Sequence, residues 1–178
     1  MIDYRDLSKI CSHALSHEPW LYELELDEEG WVPVEEMLSA LRTERPDWAL
    51  SEADLVEMVA RSDKKRHEVQ AGRIRALYGH STPQKLLKQA AEPPPVLYHG
   101  TAPDTAERIK ADGLRPMNRQ YVHLSIDTAT AAQVGARKSK APVLLAVNAA
   151  KAYASGIAFY RGNDLVWLAD FIPGAFIE

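Results

Sequence analysis

The sequence predicts an α+β fold built from two lobes. Amphipathic helical patterns and one alternating hairpin fill residues 1–89, whereas strand-like runs with two helical stretches fill residues 96–178. Between them the segment AAEPPP, residues 90–95, carries three successive prolines, which is typical of a stiff, extended linker. A hydrophobic content of 46% is sufficient to form a core in each lobe.

The first helix is predicted from apolar residues at helical spacing. They form one stripe and are Leu7, Ile10, Cys11, Ala14 and Leu15. At about 100° per residue, Ser16 falls opposite this stripe. The other polar residues on that side are Lys9, His13 and His17. Because Pro19 ends the helix, we expect a polar cluster at its carboxyl end with Ser16 exposed; a solvated helix face is the alternative.

Two further helices and a hairpin complete the first lobe. One helix is entered through Pro33, and the other opens at Ser51, which forms a capping-box pattern with Asp54. The stretch after it alternates like two short strands around an Ala-Gly pair. Helices followed by a hairpin are typical of a winged-helix module, which binds nucleic acid in some proteins and is a protein scaffold in others. A short helix is also expected over residues 83–91, after the sequence GHS.

Charge is distributed unevenly along the sequence. The net charge is −4 overall, −5 through Lys88 and +2 from Val96 onward. Inside the acidic part lies one dense basic stretch, RSDKKRHEVQAGRIR, at residues 61–75. Such a patch on an acidic body indicates a site for a local anionic ligand rather than a general polyelectrolyte surface. A solvated hairpin is the alternative.

Two histidines lie on the strand-like runs that open the second lobe. His99 and Gly100 follow the run VLY, and His123 lies within YVHLS. A helix bounded by Asp104 and Gly113 separates them. Two histidines on neighbouring strands, one followed by glycine, can line a cleft that a dinucleotide approaches closely; two ordinary half-buried histidines are the alternative. A second helix and three later strands are expected after Asp127 and at residues 143–147, 158–160 and 166–168.

The sequence excludes several classes of protein and site. Cys11 is the only cysteine, so a disulfide framework and a cysteine zinc site are excluded, and a reducing cytoplasm is expected. The first residues, MIDYRDLSKI, carry charges throughout, unlike a signal peptide, and no apolar run approaches the ~18 residues of a membrane helix. There is no Walker A pattern, no G-x-G-x-x-G and no histidine pair at metal-binding helical spacing. We expect a cytoplasmic monomer that needs no metal.

Short stretches along the chain together resemble one enzyme family. They are, in order, LSKICSHALSHEP, LDEEGWVPVEEML, DKKRHEV, RIRALYGHS, VLYHGT, RQYVHLS, VGARKSKAPVLL and NDLVWLADFIP. Their order and spacing resemble the RNA 2'-phosphotransferase family of the KptA type. The resemblance implies a winged-helix, RNA-binding lobe in residues 1–89 and an NAD-binding lobe of the ADP-ribosyltransferase type in residues 96–178.

The resemblance also implies an activity, the NAD-dependent removal of an RNA 2'-phosphate such as that at a tRNA splice junction. The 2'-phosphate attacks the anomeric carbon of the nicotinamide ribose and nicotinamide leaves, which gives 2'-phospho-ADP-ribosylated RNA. The neighbouring ribose hydroxyl then attacks phosphorus, which releases ADP-ribose 1'',2''-cyclic phosphate and RNA with a free 2'-hydroxyl. Guanidinium groups suit a dianionic phosphate because they pair bidentately and stay charged.

The family's catalytic site is an Arg-His-Arg-Arg tetrad drawn from both lobes. The matching positions are Ser16, His17, Arg66 and Arg137. Lys138 is the alternative to Arg137, because VGARKSKAP is one residue longer than the family's usual loop. The implied NAD-binding positions are His99, Gly100, Thr101, Arg119, His123, Leu124, Ser125 and Val166. Val166 falls where many ADP-ribosyltransferases carry a catalytic glutamate, which an already anionic phosphate does not require.

Two residues depart from the family's pattern. The family has Leu-Arg-His-x-Pro where this chain has Leu-Ser-His-Glu-Pro, so Ser16 replaces the first tetrad arginine. Loss of a charge-assisted phosphate contact costs about 2–3 kcal/mol, or roughly 30- to 150-fold in rate. We expect Ser16→Arg to raise the rate of 2'-phosphate removal at little cost in stability, because position 16 is predicted to be exposed. His67 stands where the family commonly has an aromatic residue.

Three functions are compatible with the sequence. The first is the phosphotransferase, and the second is an ADP-ribosyltransferase that stops after the first step and modifies terminal phosphates of RNA or DNA. The third is an NAD-binding module that has lost turnover because of Ser16. For an enzyme, we expect Arg66 and Arg137 to approach each other around a shared anion, since like charges repel without one. We also expect His99 and His123 both to face NAD.

Overall fold

The computed structural model of the protein describes residues 1–77, 87–117 and 119–178. The chain forms two compact units, Met1–Lys85 and Leu86–Glu178. Each unit combines helices with an antiparallel sheet and has its own hydrophobic core, which confirms the predicted α+β class. Within the described ranges, none of the helices combines the length and apolar character that a membrane span requires.

The described part of the first unit contains three α-helices and a three-stranded sheet. The helices are α1 (Tyr4–Ser12), α2 (Val34–Glu44) and α3 (Glu52–Arg61). The strands are β1 (Val32–Pro33), β2 (His67–Gln70) and β3 (Arg73–Ala76), with β3 in the centre and both pairings antiparallel. A π-helical turn, His13–His17, continues α1, and a 3₁₀ turn, Pro19–Tyr22, follows.

Capping side chains explain where α1 and α3 begin. The carboxylate of Asp3 accepts hydrogen bonds from the backbone N–H groups of Arg5 and Asp6, at 2.9 and 3.2 Å, which satisfies donors that the first helical turn leaves unpaired. Ser51 and Asp54 form the predicted capping box at the start of α3.

The predicted hairpin is also present and joins β2 to β3. Its two turn residues, Ala71 and Gly72, have φ values of 51° and 71°. Two successive positive φ values give a turn whose twist matches that of the flanking strands.

The apolar stripe predicted on α1 packs into the core of the first unit. Leu7, Cys11, Ala14 and Leu15 are fully buried there against side chains from α2, α3 and β3. Burial raises the pKa of the Cys11 thiol to about 12, because an apolar environment disfavours the thiolate. Cys11 is therefore a packing residue rather than a nucleophile.

The described part of the second unit contains three α-helices and a six-stranded sheet. The helices are α4 (Pro103–Asp112), α5 (Thr128–Lys138) and α6 (Ala149–Ala154). The strands are β4 (Gln89–Ala90), β5 (Val96–Thr101), β6 (Val122–Ser125), β7 (Val143–Asn148), β8 (Phe159–Arg161) and β9 (Val166–Ala169), in the order β4-β8-β9-β6-β5-β7. All pairings are antiparallel.

Most of the strands and helices predicted for residues 96–178 are confirmed, but the short helix predicted over residues 83–91, at the end of the first lobe, is not. Residues 83–86 and the preceding GHS lie outside the described residues. Gln89 and Ala90 form β4 and pair with Arg161 and Tyr160 of β8. The backbone of Lys88 has a φ of 53°, a left-handed value that an α-helix cannot include. An open sheet edge therefore supplies backbone partners that outweigh the weak helical pattern.

Candidate active site

A cavity of about 710 Å³ opens in the first unit beside α1. Its walls come from α1, the π-helical turn, the carboxyl end of α3 and the loop that follows α3. Two residues predicted to be catalytic, His17 and Arg66, line this cavity together, and both are exposed. Its volume lies within the range of about 300–1,000 Å³ that small-molecule sites occupy.

The cavity concentrates positive charge on an otherwise acidic unit. Its lining includes five lysine or arginine residues, Arg5, Lys9, Arg61, Lys64 and Arg66, and one acidic residue, Asp63. Among the residues that the structure describes, the side chains of Arg5, Lys64 and Arg66 have no acidic partner within ion-pair distance. Uncommitted cations around a concave surface attract an anionic ligand.

The π-helical turn places histidines at the edge of this cavity. Its closing hydrogen bond runs from the backbone N–H of Glu18 to the carbonyl oxygen of His13, at 2.9 Å. The His13 ring is fixed on both sides, since Nε2 donates to the Glu18 carboxylate at 3.0 Å and Nδ1 accepts from the Tyr22 hydroxyl at 2.8 Å. Single π-turns occur frequently at functional sites, and here His17 is the last residue of the turn.

The expectation that Ser16 is exposed is wrong. Ser16 is 3% exposed and lies inside the π-helical turn. A π-turn holds more residues per turn than an α-helix, so each residue advances by less than 100°, and by Ser16 the α-helical projection no longer gives the correct face. Because Ser16 is buried, the expectation that Ser16→Arg costs little stability is also wrong.

His67, the second departure from the family's pattern, is a buried neutral histidine. It is 3% exposed, and its Nε2 lies within hydrogen-bonding distance of the Ser12 hydroxyl, at 3.1 Å. Burial, followed by the charge of Arg66, lowers the pKa of His67 to about 4. The residue supports the start of β2 directly after Arg66 and thereby helps to fix the backbone that carries this arginine.

In the second unit, β5 pairs with β6 over a much shorter length than it pairs with β7. β5 and β6 are in register at a single pair, Tyr98 with Ser125, and residues 99–101 and 122–124 lie beyond this pair. There the His99 side chain spans the interval, its Nδ1–H donating to the carbonyl oxygen of His123 at 3.1 Å. Because a carbonyl oxygen can only accept, this bond places a proton on Nδ1 of His99.

Strand alternation directs the two histidine side chains differently. Tyr98 and Ser125 share one face of the sheet because they are directly paired. His123 shares that face with Ser125, whereas His99 emerges on the opposite face from its neighbour Tyr98. A ligand that contacts both histidines must therefore lie at the place where the strands separate.

Gly100 is required by the packing of α5 on β5. A Cβ atom at this position would collide with the carbonyl oxygen of Ala131 and lie 2.9 Å from the backbone nitrogen of Gly135. Lys138, at the end of α5, donates from Nζ to the carbonyl oxygen of Gly100 at 3.3 Å. The Lys138 side chain is thus directed to β5, and Arg137 precedes it in the same turn.

The remaining predicted cofactor residues are mostly buried around this part of the sheet. Thr101, Leu124, Ser125 and Val166 are each less than a tenth exposed, and Val166 pairs with Ser125 across β6 and β9. Arg119 lies in the connection before β6, where its backbone N–H bonds to Pro116. No group of three potential metal ligands is found among the described residues.

Several residues of the cavity were missed from the sequence. Tyr4, Arg5 and Ser8 line it on α1, and Met58 and Ser62 line it from the end of α3. The α1 residues recur with a spacing of three to four positions alongside the apolar stripe, which was the available signal. The sequence does not show that the end of α3 and the loop after it lie beside α1. Only their proximity makes the polar face of α1 a cavity wall.

Comparison with known proteins gives a consistent assignment. A family model described as RNA 2'-phosphotransferase, Tpt1 / KptA family, matches residues 3–171. A relative from Acetivibrio thermocellus is 56% identical, covering 100% of this chain and 98% of its own. Relatives from Bacillus thuringiensis and Streptomyces griseus are 53% and 43% identical, covering 98% and 96% of this chain and 94% of their own. All three are named probable RNA 2'-phosphotransferase. The chain therefore belongs to the RNA 2'-phosphotransferase, Tpt1 / KptA family.

Proposed function

We propose that this protein removes the 2'-phosphate from an RNA of the kind left at tRNA splice junctions, with NAD as the phosphate acceptor. The observation that carries the proposal is the cation-lined cavity in which His17 and Arg66 lie together. The relatives' name, probable RNA 2'-phosphotransferase, supports the reaction class, so the protein is an enzyme that transfers a phosphate group.

Arg66 is the principal phosphate-binding residue in this proposal. Its guanidinium is exposed and has no acidic partner among the described residues. It can therefore pair bidentately with a phosphate dianion without first breaking an ion pair. His17, on the same cavity, adds a ring nitrogen that can donate to the phosphate or to the leaving RNA 2'-oxygen. Arg137 is proposed to contribute the remaining guanidinium, with Lys138 held instead by its bond to Gly100.

NAD is proposed to bind the second unit where β5 and β6 separate. The residues fit a ribose there, since the imidazole of His99 and the hydroxyl of Thr101 are buried polar groups on the same face of β5. When bound, NAD would supply an electrophilic anomeric carbon and a leaving group, nicotinamide. The chain's residues hold and orient it: His99, Gly100, Thr101, Arg119, His123, Leu124, Ser125 and Val166. At Val166 an apolar side chain is compatible with a nucleophile that is already an anion.

We infer that the first unit is a winged-helix lobe and the second an ADP-ribosyltransferase-type lobe. The succession α1–β1–α2–α3–β2–β3, closed by a hairpin, supports the first inference. A six-stranded antiparallel sheet in which β5 and β6, the two strands with most of the predicted NAD-binding residues, share a single register pair supports the second.

The reaction is tested by incubating the protein with NAD and an oligonucleotide that carries one internal 2'-phosphate. We expect nicotinamide, ADP-ribose cyclic phosphate and RNA with a free 2'-hydroxyl. A persistent RNA adduct would instead identify an ADP-ribosyltransferase that stops after the first step. Binding of NAD without any product would identify a module without turnover.

Arg66→Gln provides the residue-level test of the same reaction. It should lower the rate by on the order of 100-fold, because one donor to the transition-state charge is lost. Lys65→Gln is the matched control, since this neighbouring cation is exposed but does not line the cavity. Equal losses in both variants would show that general charge, rather than Arg66, supports the reaction.

NAD binding is tested separately by calorimetric titration. His123→Ala should weaken NAD affinity while the far-ultraviolet circular dichroism spectrum is retained. Unchanged affinity would remove His123 from the NAD site.

A further inference from the structure

We propose that the cavity of the first unit holds, beside the 2'-phosphate, the nucleotide that flanks it in the RNA chain. The base of that nucleotide stacks at the end of the cavity formed by Tyr4 and Arg61, and its phosphate pairs with Arg5 and Lys9. This inference rests on the proposed function and adds a specificity element to it: a preference for an internal 2'-phosphate over one on a single nucleoside.

The dimensions of the cavity leave room for a ligand larger than one phosphate. His17 stands at one end of its α1 wall and Tyr4 at the other, which are roughly 20 Å apart along a helix that rises 1.5 Å per residue. A volume of about 710 Å³ accommodates a ligand of nucleotide size or larger. A phosphate bound at His17 and Arg66 leaves the Tyr4 end of this space unfilled.

Tyr4 and Arg61 form a prepared stacking surface. The Arg61 guanidinium lies over the Tyr4 ring, 4.6 Å from its centroid. Neighbouring carboxylates fix both groups, since the Tyr4 hydroxyl donates to Asp54 at 3.2 Å and Arg61 Nε donates to Glu57 at 2.5 Å. One face of the guanidinium is covered by Tyr4, and the Arg61 side chain is 62% exposed. Unstacked RNA bases stack on guanidinium planes of this kind.

The α1 wall between the two ends carries the polar groups that a ribose and a phosphate require. Arg5 has no acidic partner among the described residues, and Lys9 has only an exposed contact of 3.7 Å with Asp6. Ser8 lies between them and is 7% exposed, and its hydroxyl has no hydrogen-bond partner in the described structure. Buried hydroxyls are almost always paired, so Ser8, which lines the cavity, indicates a polar ligand at this point.

The test compares the affinity of two ligands, adenosine 2'-phosphate and an RNA trinucleotide with a 2'-phosphate on its middle residue. The wild-type protein should bind the trinucleotide at least roughly 10-fold more tightly, the increment expected for one stacked base. Arg61→Gln and Arg61→Lys should both remove most of this increment and leave the affinity for adenosine 2'-phosphate unchanged, because lysine keeps the charge but not the planar surface. Dinucleotides in which the 2'-phosphorylated residue has a neighbour on only its 5' side or only its 3' side identify which neighbour occupies the subsite.

Arg45→Gln is the matched control for Arg61→Gln. Its guanidinium also lies over an aromatic ring, 3.9 Å from the centroid of Trp48, and also pairs with an acid, Asp47. Arg45 does not line the cavity, so its substitution should change neither affinity.

Ser8→Ala separates ligand binding from structural support. It should weaken trinucleotide binding several-fold without lowering the thermal unfolding temperature, because the hydroxyl has no partner to lose in the free protein. The subsite is disproved if Arg61→Gln weakens both ligands equally or weakens neither. Failure of the wild-type protein to bind either ligand would contradict the proposed function itself.

Discussion

At the scale of single residues, His67 links the stability of the first unit to pH. Its imidazole is buried beside the Ser12 hydroxyl, and burial together with the Arg66 charge lowers its pKa from 6.5 to about 4. Between these two values the unfolded chain binds a proton at this position and the folded chain does not. The contribution of His67 to the free energy of unfolding is therefore fully present above about pH 6.5 and is lost as the pH falls toward 4.

We predict that the free energy of unfolding decreases on acidification from pH 6.5 to pH 4 by an amount on the order of 3 kcal/mol through His67. His67→Phe should flatten this part of the profile, because phenylalanine fills the site without a titratable group. Urea unfolding across the pH range measures the effect. His17→Ala, at an exposed histidine, is the control and should keep the wild-type slope; a profile unchanged by His67→Phe would contradict the assignment.

Ser16→Arg should still raise the rate of 2'-phosphate removal, by roughly 30- to 150-fold, if the missing guanidinium limits phosphate handling. Because Ser16 is buried, the larger side chain should also cost about 1–3 kcal/mol of stability. Single-turnover rates and thermal unfolding measure the two effects. Ser16→Met provides similar bulk without charge and should lower stability with no gain in rate, whereas a rate increase in both variants would exclude a charge effect.

At the scale of elements, the sequence predicts α1 correctly as far as its α-helical period holds. Leu7, Cys11 and Ala14 are buried as expected. The projection fails at Ser16, because a change of helical period leaves no signature in apolar spacing. The local pattern also could not predict the strand at Gln89, where a helix was expected. Gln89 pairs with Arg161, a residue that is distant in the sequence.

The candidate site shows the same division between what was and was not predictable. His17 and Arg66 could be named from motifs, and the structure brings them to one cavity. The role of Gly100 was expected to be close approach of NAD, but its nearest constraint is α5, a neighbour that only the fold supplies.

Gly100→Ala should therefore destabilise the second unit even without NAD. The new Cβ would meet the Ala131 carbonyl, and backbone cannot move aside as a flexible side chain can, so we expect a loss of about 2–3 kcal/mol. Gly72→Ala is the comparison, because its Cβ would meet no atom within 4 Å and only the positive φ of 71° is unfavourable, at about 1 kcal/mol. Denaturant unfolding in the absence of NAD measures both; a smaller loss at Gly100 would contradict this packing.

At the scale of the whole molecule, charge is concentrated rather than spread. The protein has a net charge of −4, yet five lysine or arginine residues line one cavity of the first unit. Binding of RNA should therefore depend on a few phosphates held locally, with the remaining surface contributing little.

This distribution predicts a shallow salt dependence of RNA affinity. With about three phosphates contacted, the logarithm of the binding constant should fall with the logarithm of salt concentration with a slope of about −2. Fluorescence anisotropy with a 2'-phosphorylated RNA long enough to reach the whole surface of the first unit measures the slope, and Arg5→Gln should make it shallower by a fraction of a unit. A slope steeper than about −5 would indicate an extended basic surface instead.

The burial of Cys11 has a practical consequence for labelling. It is the only cysteine of the chain, and a thiol with a pKa of about 12 reacts slowly with maleimides, which require the thiolate. New cysteines introduced at exposed positions can therefore be modified selectively with Cys11 still in place. A fluorophore pair attached through one such position in each unit would report, by energy transfer, whether the two units change their separation when NAD or RNA is added.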